Sequence, residues 1–398
     1  MLAILTTHPI QYQVPLWQAL ARDGRVPFEV WYLSKHAIEP SLDAEFGKRF
    51  QWDIDLLEGY PHRFLEGADQ SSPSSFFGCR LHENLTQRLR SAGATALWIQ
   101  GWQVLAYWQA IRAAREAGVE VWLRGESNDL MPVPLWKRPI KELQLRWLFS
   151  RVDRFFYIGS ANRRLYENFG VPGARLFPAP YAVDNERFAR QGADLRKQRT
   201  TLRRQWKIPD DAFCILFCGK FIAKKRPMDL VAAARILSGS GARVHLLFTG
   251  SGVLGEPLRR ACRVMFDAEA SAASSSDPGA PAASFAGFLN QTEISKAYVA
   301  ADCLVLPSDH SETWGLVVNE ALATGLTCLV SDACGCAEDL APDHRFRCAD
   351  PASLADMLRR NLTSPASPSR PPGITATVDS VCAAYSLLSA ANSFQQRR

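Results

Sequence analysis

The strongest constraint in this chain of 398 residues is a regular alternation of short apolar runs with longer stretches of helical periodicity. The apolar runs have the length of strands, and they lack the polar alternation of strands that face water on one side. Such strands are covered on both faces, and the helical stretches supply the crossovers that parallel strands need. The sequence therefore predicts an α/β fold built from parallel sheets.

The alternation forms two successive series, and the length of the chain also favours two hydrophobic cores over one. In the first series the predicted strands are Leu2–Leu5, Phe28–Tyr32, Ala96–Gln100, Val119–Leu123, Arg154–Ile158 and Arg175–Phe177. In the second series they are Phe213–Cys218, Val244–Thr249, Ser284–Ala286, Cys303–Leu306 and Thr327–Val330. We expect two Rossmann-like domains, with ligands bound beyond the carboxyl ends of the strands.

The charged stretch Asp184–Gln205 separates the two series and is predicted to be an exposed domain boundary. We accordingly expect a first domain at 1–190, a second at 191–373, and a C-terminal helix at 374–398 that packs back on the first domain. Glu269–Ala283, rich in Ala and Ser, and Ser364–Gly373, rich in Pro and Ser, are predicted loops.

Composition and charge exclude several classes of protein. A net charge of +6 is far from the concentrated basic surface of a nucleic-acid-binding protein. The amino terminus lacks the features of a signal peptide, and no uninterrupted apolar window is long enough to span a membrane. We therefore expect a cytoplasmic protein, with peripheral contact with the inner membrane face as an alternative. The ten cysteines are scattered and have no metal-ligand spacing, so no metal site is expected.

The segment that follows the predicted strand Cys303–Leu306 carries the strongest functional signal. A loop holds Glu312, and Gly315 then opens a helix that contains Glu320 about one turn further on. The first backbone N–H groups of such a helix have no internal partners and lie at its positive end, which suits a diphosphate. A capped amphipathic helix with two solvated glutamates explains the same residues equally well on physical grounds alone.

A cluster of cations follows the first strand of the second series. Gly219 and Lys220 leave that strand, and Lys225 stands at the start of the next helix between Lys224 and Arg226. Cations at a helix start oppose the helix dipole, so an anionic partner is expected there. Two cations beside a departing diphosphate would stabilise the negative charge that develops as a glycosidic bond breaks.

These two elements resemble the donor site of retaining glycosyltransferase family 4. Glu312 and Glu320 have the spacing of the family's Glu-x7-Glu element. The turn between the two glutamates is similar to the turn that the family has at this place. In this chain it consists of Thr313, Trp314, Gly315, Leu316 and Val317. Lys220 stands where the family commonly has Arg, which keeps the charge and loses the bidentate fork. Lys225 matches the family's lysine that follows, with Lys224 and Arg226 as alternatives for that position.

Three further segments are similar to the same family and occur in the family's order. Gly250 and Gly252 resemble its strand-end Gly-x-Gly turn, although such a pair is more often only a turn. Phe288 and Leu289 lie in a loop that resembles the one receiving the nucleotide base. The stretch 177–188 resembles the signature that closes the family's first domain.

The resemblance implies a GT-B architecture, with two Rossmann-like domains whose parallel sheets face across a cleft. The first domain would hold the acceptor and the second a nucleotide-diphosphate sugar, with no required metal ion or other cofactor. It implies catalytic roles for Glu312, Lys220 and Lys225, of which Glu312 would hold the sugar, while Glu320 would hold the ribose. The acceptor would be a glycan, a glycolipid or another hydroxyl compound of the cell envelope. A sugar-nucleotide-binding protein without turnover, or an epimerase or hydrolase of the same fold, remain alternatives.

Polar side chains after three strands of the first series are candidates for the acceptor side. Many members of the family carry a histidine near the reacting centre where this chain has Arg124, and that difference leaves the catalytic role of the segment open. Ordinary glycine and Asx turns explain these loops nearly as well. The candidates are His8, Gln11, Tyr12, Trp102, Arg124 and Glu126.

The stretch 137–156 combines basic residues with Trp147, Leu143, Leu148 and Phe149. Basic helices with Trp and Leu lie on anionic lipid in some proteins. Apolar stripes on helices more commonly face inwards, so the sequence favours a core position for these side chains.

Overall fold

The computed structural model describes residues 1–36, 38, 41–43, 48–364 and 368–396. The chain divides into two compact units. The first comprises Met1–Ser41, Ile54–Tyr181 and Pro372–Arg398, and the second comprises Leu42–Asp53 and Ala182–Pro371. Each unit contains a seven-stranded sheet with helices packed against it, which confirms the predicted α/β class.

Strands up to residue 178 are β1 (Leu2–Thr6), β2 (Phe28–Tyr32), β3 (Ser41–Asp43), β4 (Lys48–Phe50), β5 (His62–Phe64), β6 (Ala96–Ile99), β7 (Glu120–Leu123), β8 (Arg154–Tyr157) and β9 (Leu176–Pro178). The helices between them are α1 (Val14–Asp23), α2 (Leu85–Ser91), α3 (Leu105–Ala117), α4 (Arg138–Phe149) and α5 (Ser160–Asn168). Strands β3 and β4 pair with each other. The remaining seven form a sheet in the order β5-β2-β1-β6-β7-β8-β9, and every pairing between neighbours is parallel.

The later strands are β10 (Phe213–Cys218), β11 (Val244–Thr249), β12 (Arg263–Asp267), β13 (Ala282–Gly287), β14 (Cys303–Leu306), β15 (Thr327–Ser331) and β16 (Arg345–Phe346). The later helices are α6 (Asn185–Arg196), α7 (Arg199–Gln205), α8 (Pro227–Gly239), α9 (Gly255–Ala261), α10 (Ser295–Ala300), α11 (Leu316–Thr324), α12 (Ala337–Leu340), α13 (Pro351–Thr363) and α14 (Ile374–Gln396). The sheet of the second unit has the order β12-β13-β11-β10-β14-β15-β16, again with parallel pairing throughout.

The central strands of both sheets are buried on both faces, as their unbroken apolar runs predict. All five residues of β1 and all six of β11 are buried. Four tryptophans, among them Trp31 and Trp98, are fully buried in the first unit. Sheets of this order bind ligands where the strand order reverses, beyond the carboxyl ends of the strands. In the first unit the reversal lies between β1 and β6, and in the second between β10 and β14.

The predicted boundary at Asp184–Gln205 is wrong, because this stretch is helical and belongs to the second unit. Asp184 caps α6, its side chain accepting a hydrogen bond from the backbone N–H of Arg187 at 3.0 Å. Helix α6 then packs on α10 and α11, with Phe188 fully buried. Some of the polar residues that suggested a linker lie on the outer faces of α6 and α7, whereas Arg203 in α7 is buried and donates to a carboxylate oxygen of Asp302 at 3.2 Å. The division between the units therefore falls at 181/182 rather than at 190/191.

The segment Leu42–Asp53 also differs from the expectation, since it lies within 1–190 of the chain but belongs to the second unit. Asn290 donates a hydrogen bond from Nδ2 to the carbonyl oxygen of Gln51 at 2.7 Å. The backbone N–H of Thr292 donates to a carboxylate oxygen of Asp53 at 3.1 Å. These contacts join the segment to the loop that follows β13.

Helix α14 is grouped with the first unit, at the other end of the chain. It contacts α1 and β9, its residues Val381 and Ala384 are fully buried, and Thr377 donates to the carbonyl oxygen of Pro180 at 3.1 Å. By length and composition alone this helix is also apolar enough to cross a membrane, with a mean hydropathy of 1.3 over Ile374–Ala391. The sequence predicts a helix here but no membrane span, because polar residues interrupt the apolar ones.

The predicted core position of the apolar residues in α4 is correct for one face only. Leu145, Leu148 and Phe149 are buried against the first unit. Leu143 and Trp147 are exposed, so the inward position expected for them is wrong. The helix therefore carries two apolar faces, of which the core uses one.

His245 on β11 is buried with only part of its hydrogen-bonding capacity used. Its Nε2 lies 2.8 Å from the hydroxyl of Ser284, and that hydroxyl donates to the carbonyl oxygen of Trp206 at 2.5 Å. Ser284 therefore accepts from Nε2–H, and the buried Nδ1 has no partner among the described residues. Burial lowers the pKa of His245 to about 4, with the charges of Arg203 and Arg263 adding to the shift.

The lowered pKa of His245 should make the free energy of unfolding depend on pH. Because its pKa is lower in the folded than in the unfolded chain, the unfolded chain binds the proton more tightly between the two values. The free energy of unfolding should therefore fall as the pH falls from about 6.5 towards about 4. We expect His245→Gln to flatten this dependence in urea unfolding series. His344→Gln, at a half-buried histidine, is the control. If both variants reduced the pH dependence equally, His245 would not be its source.

Candidate active site

Four neighbouring strands of the second sheet end in the loops that the sequence analysis selected. In the order of the sheet these strands are β13, β11, β10 and β14. Because all four are parallel, their carboxyl ends lie at one edge of the sheet. The loops that follow them begin at Phe288, Gly250, Gly219 and Pro307. The structure therefore brings together the predicted donor residues of the second unit.

The glycine turns in this edge are joined through their backbones. The N–H of Gly219 donates to the carbonyl oxygen of Thr249 at 3.0 Å, and the N–H of Phe221 donates to that of Ser251 at 2.8 Å. Gly250, with φ of 126°, approaches so closely that a Cβ there would overlap the carbonyl oxygen of Gly219. A Cβ on Gly252 would lie 2.7 Å from the carbonyl oxygen of Phe221. The packing between the turns therefore explains by itself why positions 250 and 252 need glycine, whether or not these residues also bind a ligand.

The side chains of Lys225 and Glu312 form an ion pair in which the ammonium group donates to Oε2 of the carboxylate. Both side chains are largely buried, with 20% and 13% of their surface exposed. Lys225 ends a 3-10 turn at Ala223–Lys225, and the N–H of Asp309 donates to the carbonyl oxygen of Lys224 at 2.9 Å. The loops after β10 and β14 are therefore joined by this ion pair and by a backbone hydrogen bond. Lys220 is half-buried in the first of these loops.

Gly315 is the N-cap of α11 and has φ of 109°, in the left-handed region that favours glycine. A Cβ there would lie 2.5 Å from a methyl group of Leu306. No side chain caps this helix. Thr313, Leu316 and Val317 are half-buried, so the first turn of α11 is accessible and its amides supply the partial positive charge expected of a helix start. The side chain of Trp314 is buried and donates to Asn319, which gives this residue a packing role.

Glu320 is only 3% exposed, and both of its carboxylate oxygens accept hydrogen bonds from side chains. Tyr298 donates to Oε2 at 2.5 Å, and Gln291 donates to Oε1 at 3.2 Å. Arg187 holds Gln291 in turn, donating to its side-chain oxygen at 2.7 Å and to its carbonyl oxygen at 2.8 Å. This network fixes the orientation of the Glu320 carboxylate.

The roles of Arg187, Gln291 and Tyr298 in holding the Glu320 carboxylate were not predicted from the sequence. Gln291 follows the predicted base loop almost directly, which was the only signal available for it. Tyr298 is part of the apolar periodicity of α10 and looks like an ordinary core residue. Phe288 and Leu289 in the base loop are half-buried, with their backbone following Gly287 at the end of β13.

The candidates in the first unit also share one edge of a sheet. His8, Trp102 and Arg124 follow β1, β6 and β7, which are neighbours with parallel pairing. Trp102 lies against Gly125, where a Cβ would overlap its ring. The half-buried Gln11 and Tyr12 belong to the turn that leads into α1.

Arg124 has a buried guanidinium group with few partners. Its Nη2 donates to the carbonyl oxygen of Ala179 at 3.3 Å, its Nε has no partner among the described residues, and it lies 4.4 Å from the ring centroid of Tyr181. Burial lowers the pKa of Arg124 to about 10, while Glu126 and Tyr166 oppose the shift, so the group stays charged near neutral pH.

Tyr181 donates to the carboxylate of Glu126. Although Glu126 is exposed as a whole residue, desolvation of its carboxyl group raises its pKa, and the charge of Arg124 opposes the shift.

His8 is held as a neutral imidazole. Burial lowers its pKa to about 4, and the nearby His36, whose ring centroid is 5.2 Å away, adds to the shift. Its Nδ1 lies 2.9 Å from the hydroxyl of Thr7. A neutral ring in this position can donate or accept one hydrogen bond through Nε2. Among the described residues no group of three or more His, Cys, Asp or Glu side chains could hold a metal ion.

Residues 198–371 match the family model described as Glycosyl transferases group 1. The matched segment lies within the second unit and includes all four of the strand-end loops described above. The chain is 32% identical over 182 residues to the D-inositol 3-phosphate glycosyltransferase of Geodermatophilus obscurus, covering 44% of this chain and 36% of that protein. It is also 32% identical over 200 residues to a GDP-mannose-dependent alpha-mannosyltransferase of Mycobacterium tuberculosis, covering 50% and 44%. The chain thus spans less than half the length of these curated relatives.

Solved structures resemble the chain over nearly its whole length. The α,α-trehalose 6-phosphate synthase of Burkholderia multivorans has a TM-score of 0.67 at 12% identity, with 100% of this chain and 98% of that chain covered. Anabaena Alr3699/HepE in complex with UDP-glucose has a TM-score of 0.60 at 13% identity, covering 96% and 93%. These likenesses show the fold, and they confirm the predicted GT-B class.

The contact between the glycine turns predicts a large cost for a single methyl group. We expect Gly250→Ala to lower the free energy of unfolding by about 3 kcal/mol, because the variant combines an unfavourable positive φ with overlap against backbone. Gly239→Ala is the control, since Gly239 ends α8 with nothing near its Cβ position and should change stability by less than about 1 kcal/mol. Urea unfolding measures both variants. Equal stability of the two would contradict the packing described for the turns.

Proposed function

We propose that this protein is a retaining glycosyltransferase of family 4, which moves a sugar from a nucleotide-diphosphate sugar to an acceptor hydroxyl. The observation that carries the proposal is the position of Lys225 and Glu312 beside the accessible first turn of α11. Two cations, a carboxylate and a helix N-terminus meet at the carboxyl edge of one sheet. This edge belongs to the segment that matches the glycosyl transferases group 1 family.

The diphosphate of the donor would lie between Lys220, Lys225 and the first amides of α11. These groups supply the positive charge that a divalent metal ion supplies in other transferases, so we propose that no metal ion is required. Their charges stabilise the leaving diphosphate more strongly than the bound donor, because negative charge increases as the glycosidic bond breaks. Glu312, oriented by its pair with Lys225, would accept hydrogen bonds from hydroxyl groups of the sugar.

Glu320 would bind the ribose of the donor. Tyr298 and Gln291 hold its carboxylate in one orientation, and a carboxylate has lone pairs for about four hydrogen bonds. The backbone at Phe288 and Leu289 would contact the base. The curated mannosyltransferase is described as GDP-mannose-dependent, and the Anabaena structure contains UDP-glucose, so relatives of this chain differ in their base.

In the proposed reaction the bond between the anomeric carbon and the phosphate oxygen breaks, and its electron pair stays on the diphosphate. The acceptor oxygen attacks the anomeric carbon from the same face, which retains the anomeric configuration. The proton of the acceptor hydroxyl passes to the leaving phosphate oxygen. This transfer needs no side chain as general base.

We assign the acceptor to the first unit, with His8, Gln11, Tyr12, Trp102, Arg124 and Glu126 as candidate contacts. The charged Arg124 would attract an acceptor with a carboxylate or phosphate, and neutral His8 and the Glu126 carboxylate would bind hydroxyls. A glycan or glycolipid of the cell envelope has these groups. The ten free cysteines suit a reducing compartment, which supports a cytoplasmic location.

A transfer assay tests the proposal. Wild-type protein is incubated with uridine and guanosine diphosphate sugars and a panel of glycan and glycolipid acceptors, and release of nucleoside diphosphate is measured with the product. We expect Lys225→Ala and Glu312→Ala to lower kcat/KM by at least about a hundredfold, the effect of losing one transition-state contact.

Lys224→Ala is the matched control, because it removes the same charge from the neighbouring exposed lysine. We expect it to lower kcat/KM by less than about tenfold, as a more distant charge interacts weakly through water. Equal losses from Lys224→Ala and Lys225→Ala would disprove the assigned site. Tight binding of a nucleotide sugar with no product from any acceptor would instead favour a binding protein, and donor consumption without an acceptor would favour a hydrolase or epimerase.

A further inference from the structure

Helix α4 and the 3-10 turn before it, Leu135–Lys137, carry an apolar stripe that the fold does not cover. The exposed fractions are 72% for Trp136, 70% for Ile140, 72% for Leu143 and 43% for Trp147. Their spacing of four, three and four residues places them on one side of a helix. The buried residues Leu145, Leu148 and Phe149 lie on the opposite side.

Large apolar side chains clustered on one exposed face indicate an interaction site. We refer to Trp136, Ile140, Leu143 and Trp147 as the outer stripe. Trp147 is the least exposed of the four because its ring stacks on Trp108, with centroids 5.5 Å apart. The ring of Trp136 has the Lys137 ammonium group 4.7 Å from its centroid. The guanidinium carbon of Arg151 lies 3.8 Å from the ring centroid of Trp147, so each end of the outer stripe combines an aromatic ring with a cation.

The charges around the outer stripe are almost all positive. Between residues 135 and 151 the chain has five basic residues, Lys137, Arg138, Lys141, Arg146 and Arg151, and one acidic residue, Glu142. Glu142 pairs with Arg146 at 2.8 Å, which leaves the cationic excess in place. On the helical projection Lys137 flanks the stripe on one side and Arg146 flanks it on the other, while Arg151 follows the end of α4.

A tryptophan- and leucine-bearing stripe with basic flanks is the pattern of helices that lie in the interface of an anionic bilayer. The apolar side chains enter the acyl boundary, and the flanking cations remain at the level of the headgroups. A second copy of this chain fits poorly, because a symmetric contact would place the same cationic flanks against each other. We propose that the outer stripe docks the protein on an anionic lipid surface.

Docking through α4 has a consequence for the acceptor, which rests on the proposed function. Arg138 and Lys141 line a cavity of about 460 Å³ together with the loop 128–133. That loop continues directly from the segment that contains Arg124 and Glu126. An acceptor anchored in the lipid would therefore be held beside the loop to which we assign acceptor contacts.

Co-sedimentation of the full chain with lipid vesicles tests the docking. We expect binding to vesicles of phosphatidylcholine mixed with phosphatidylglycerol, weaker binding at high salt, and little binding to phosphatidylcholine alone, because headgroup charge supplies part of the attraction. The triple substitution Trp136→Gln, Ile140→Gln, Leu143→Gln should weaken binding at least about tenfold. Lys137→Gln with Arg146→Gln, which removes one cation from each side of the stripe, should weaken it by a similar factor.

The controls replace exposed apolar or basic residues of other helices and strands with Gln. Ile236→Gln with Met265→Gln is the apolar control, and Arg112→Gln with Arg260→Gln is the charge control. Neither should change vesicle binding. Thermal unfolding shows whether each variant is folded, and transfer to a water-soluble acceptor shows whether its donor site is intact, so failure of the docking is distinguished from failure of the proposed function.

Three results would overturn the docking. The first is vesicle binding by the folded triple variant that equals that of the wild type. The second is the absence of wild-type binding to either vesicle. The third is a wild-type dimer in sedimentation equilibrium that the triple substitution dissociates, because a second copy would then cover the outer stripe.

Discussion

The ion pair between Lys225 and Glu312 is the interaction on which the organisation of the second unit's edge depends. It connects the loops after β10 and β14, the two strands between which the order of the sheet reverses. Removing two charges from water costs about as much as their attraction returns, so a largely buried pair is weak evidence for a purely stabilising role. An anionic ligand explains the position of the pair, beside the uncapped start of α11, better than a stabilising role does. In the proposed complex the ammonium group of Lys225 would bind the anion and Glu312 would bind the sugar.

The first unit has a comparable concentration of unusual electrostatics at the same edge of its sheet. Arg124 keeps its charge while buried, desolvation raises the pKa of Glu126, and His8 is held neutral because burial lowers its pKa. Perturbed titratable groups that gather beyond the carboxyl ends of parallel strands are typical of functional sites. The two units thus have different chemistry, with cations suited to a diphosphate in the second and a mixed polar surface in the first.

Much of this organisation is predictable from sequence because strand burial and strand-end glycines are local properties. The central strands, Glu312, Lys225 and Gly315 follow from apolar runs and motif spacing. The boundary at Asp184–Gln205 was misplaced because a helix with one buried stripe has the composition of a linker. The edge strands β12 and β16 were not predicted, because all five residues of β12 are at least partly exposed and β16 has only two residues. Leu143 and Trp147 of the outer stripe were predicted to be core residues because periodicity identifies an apolar face without showing what covers it.

Lys225 is proposed to bind the diphosphate and Glu312 to bind the sugar. Calorimetric titration of wild-type, Lys225→Met and Glu312→Gln proteins with a nucleoside diphosphate and the matching nucleotide sugar separates these two roles. We expect Lys225→Met to weaken both ligands by at least about tenfold, the value of a charge-assisted hydrogen bond. Glu312→Gln should retain the affinity for the nucleoside diphosphate and lose the additional affinity for the sugar. Wild-type affinity for the diphosphate in Lys225→Met would show that this lysine does not bind it.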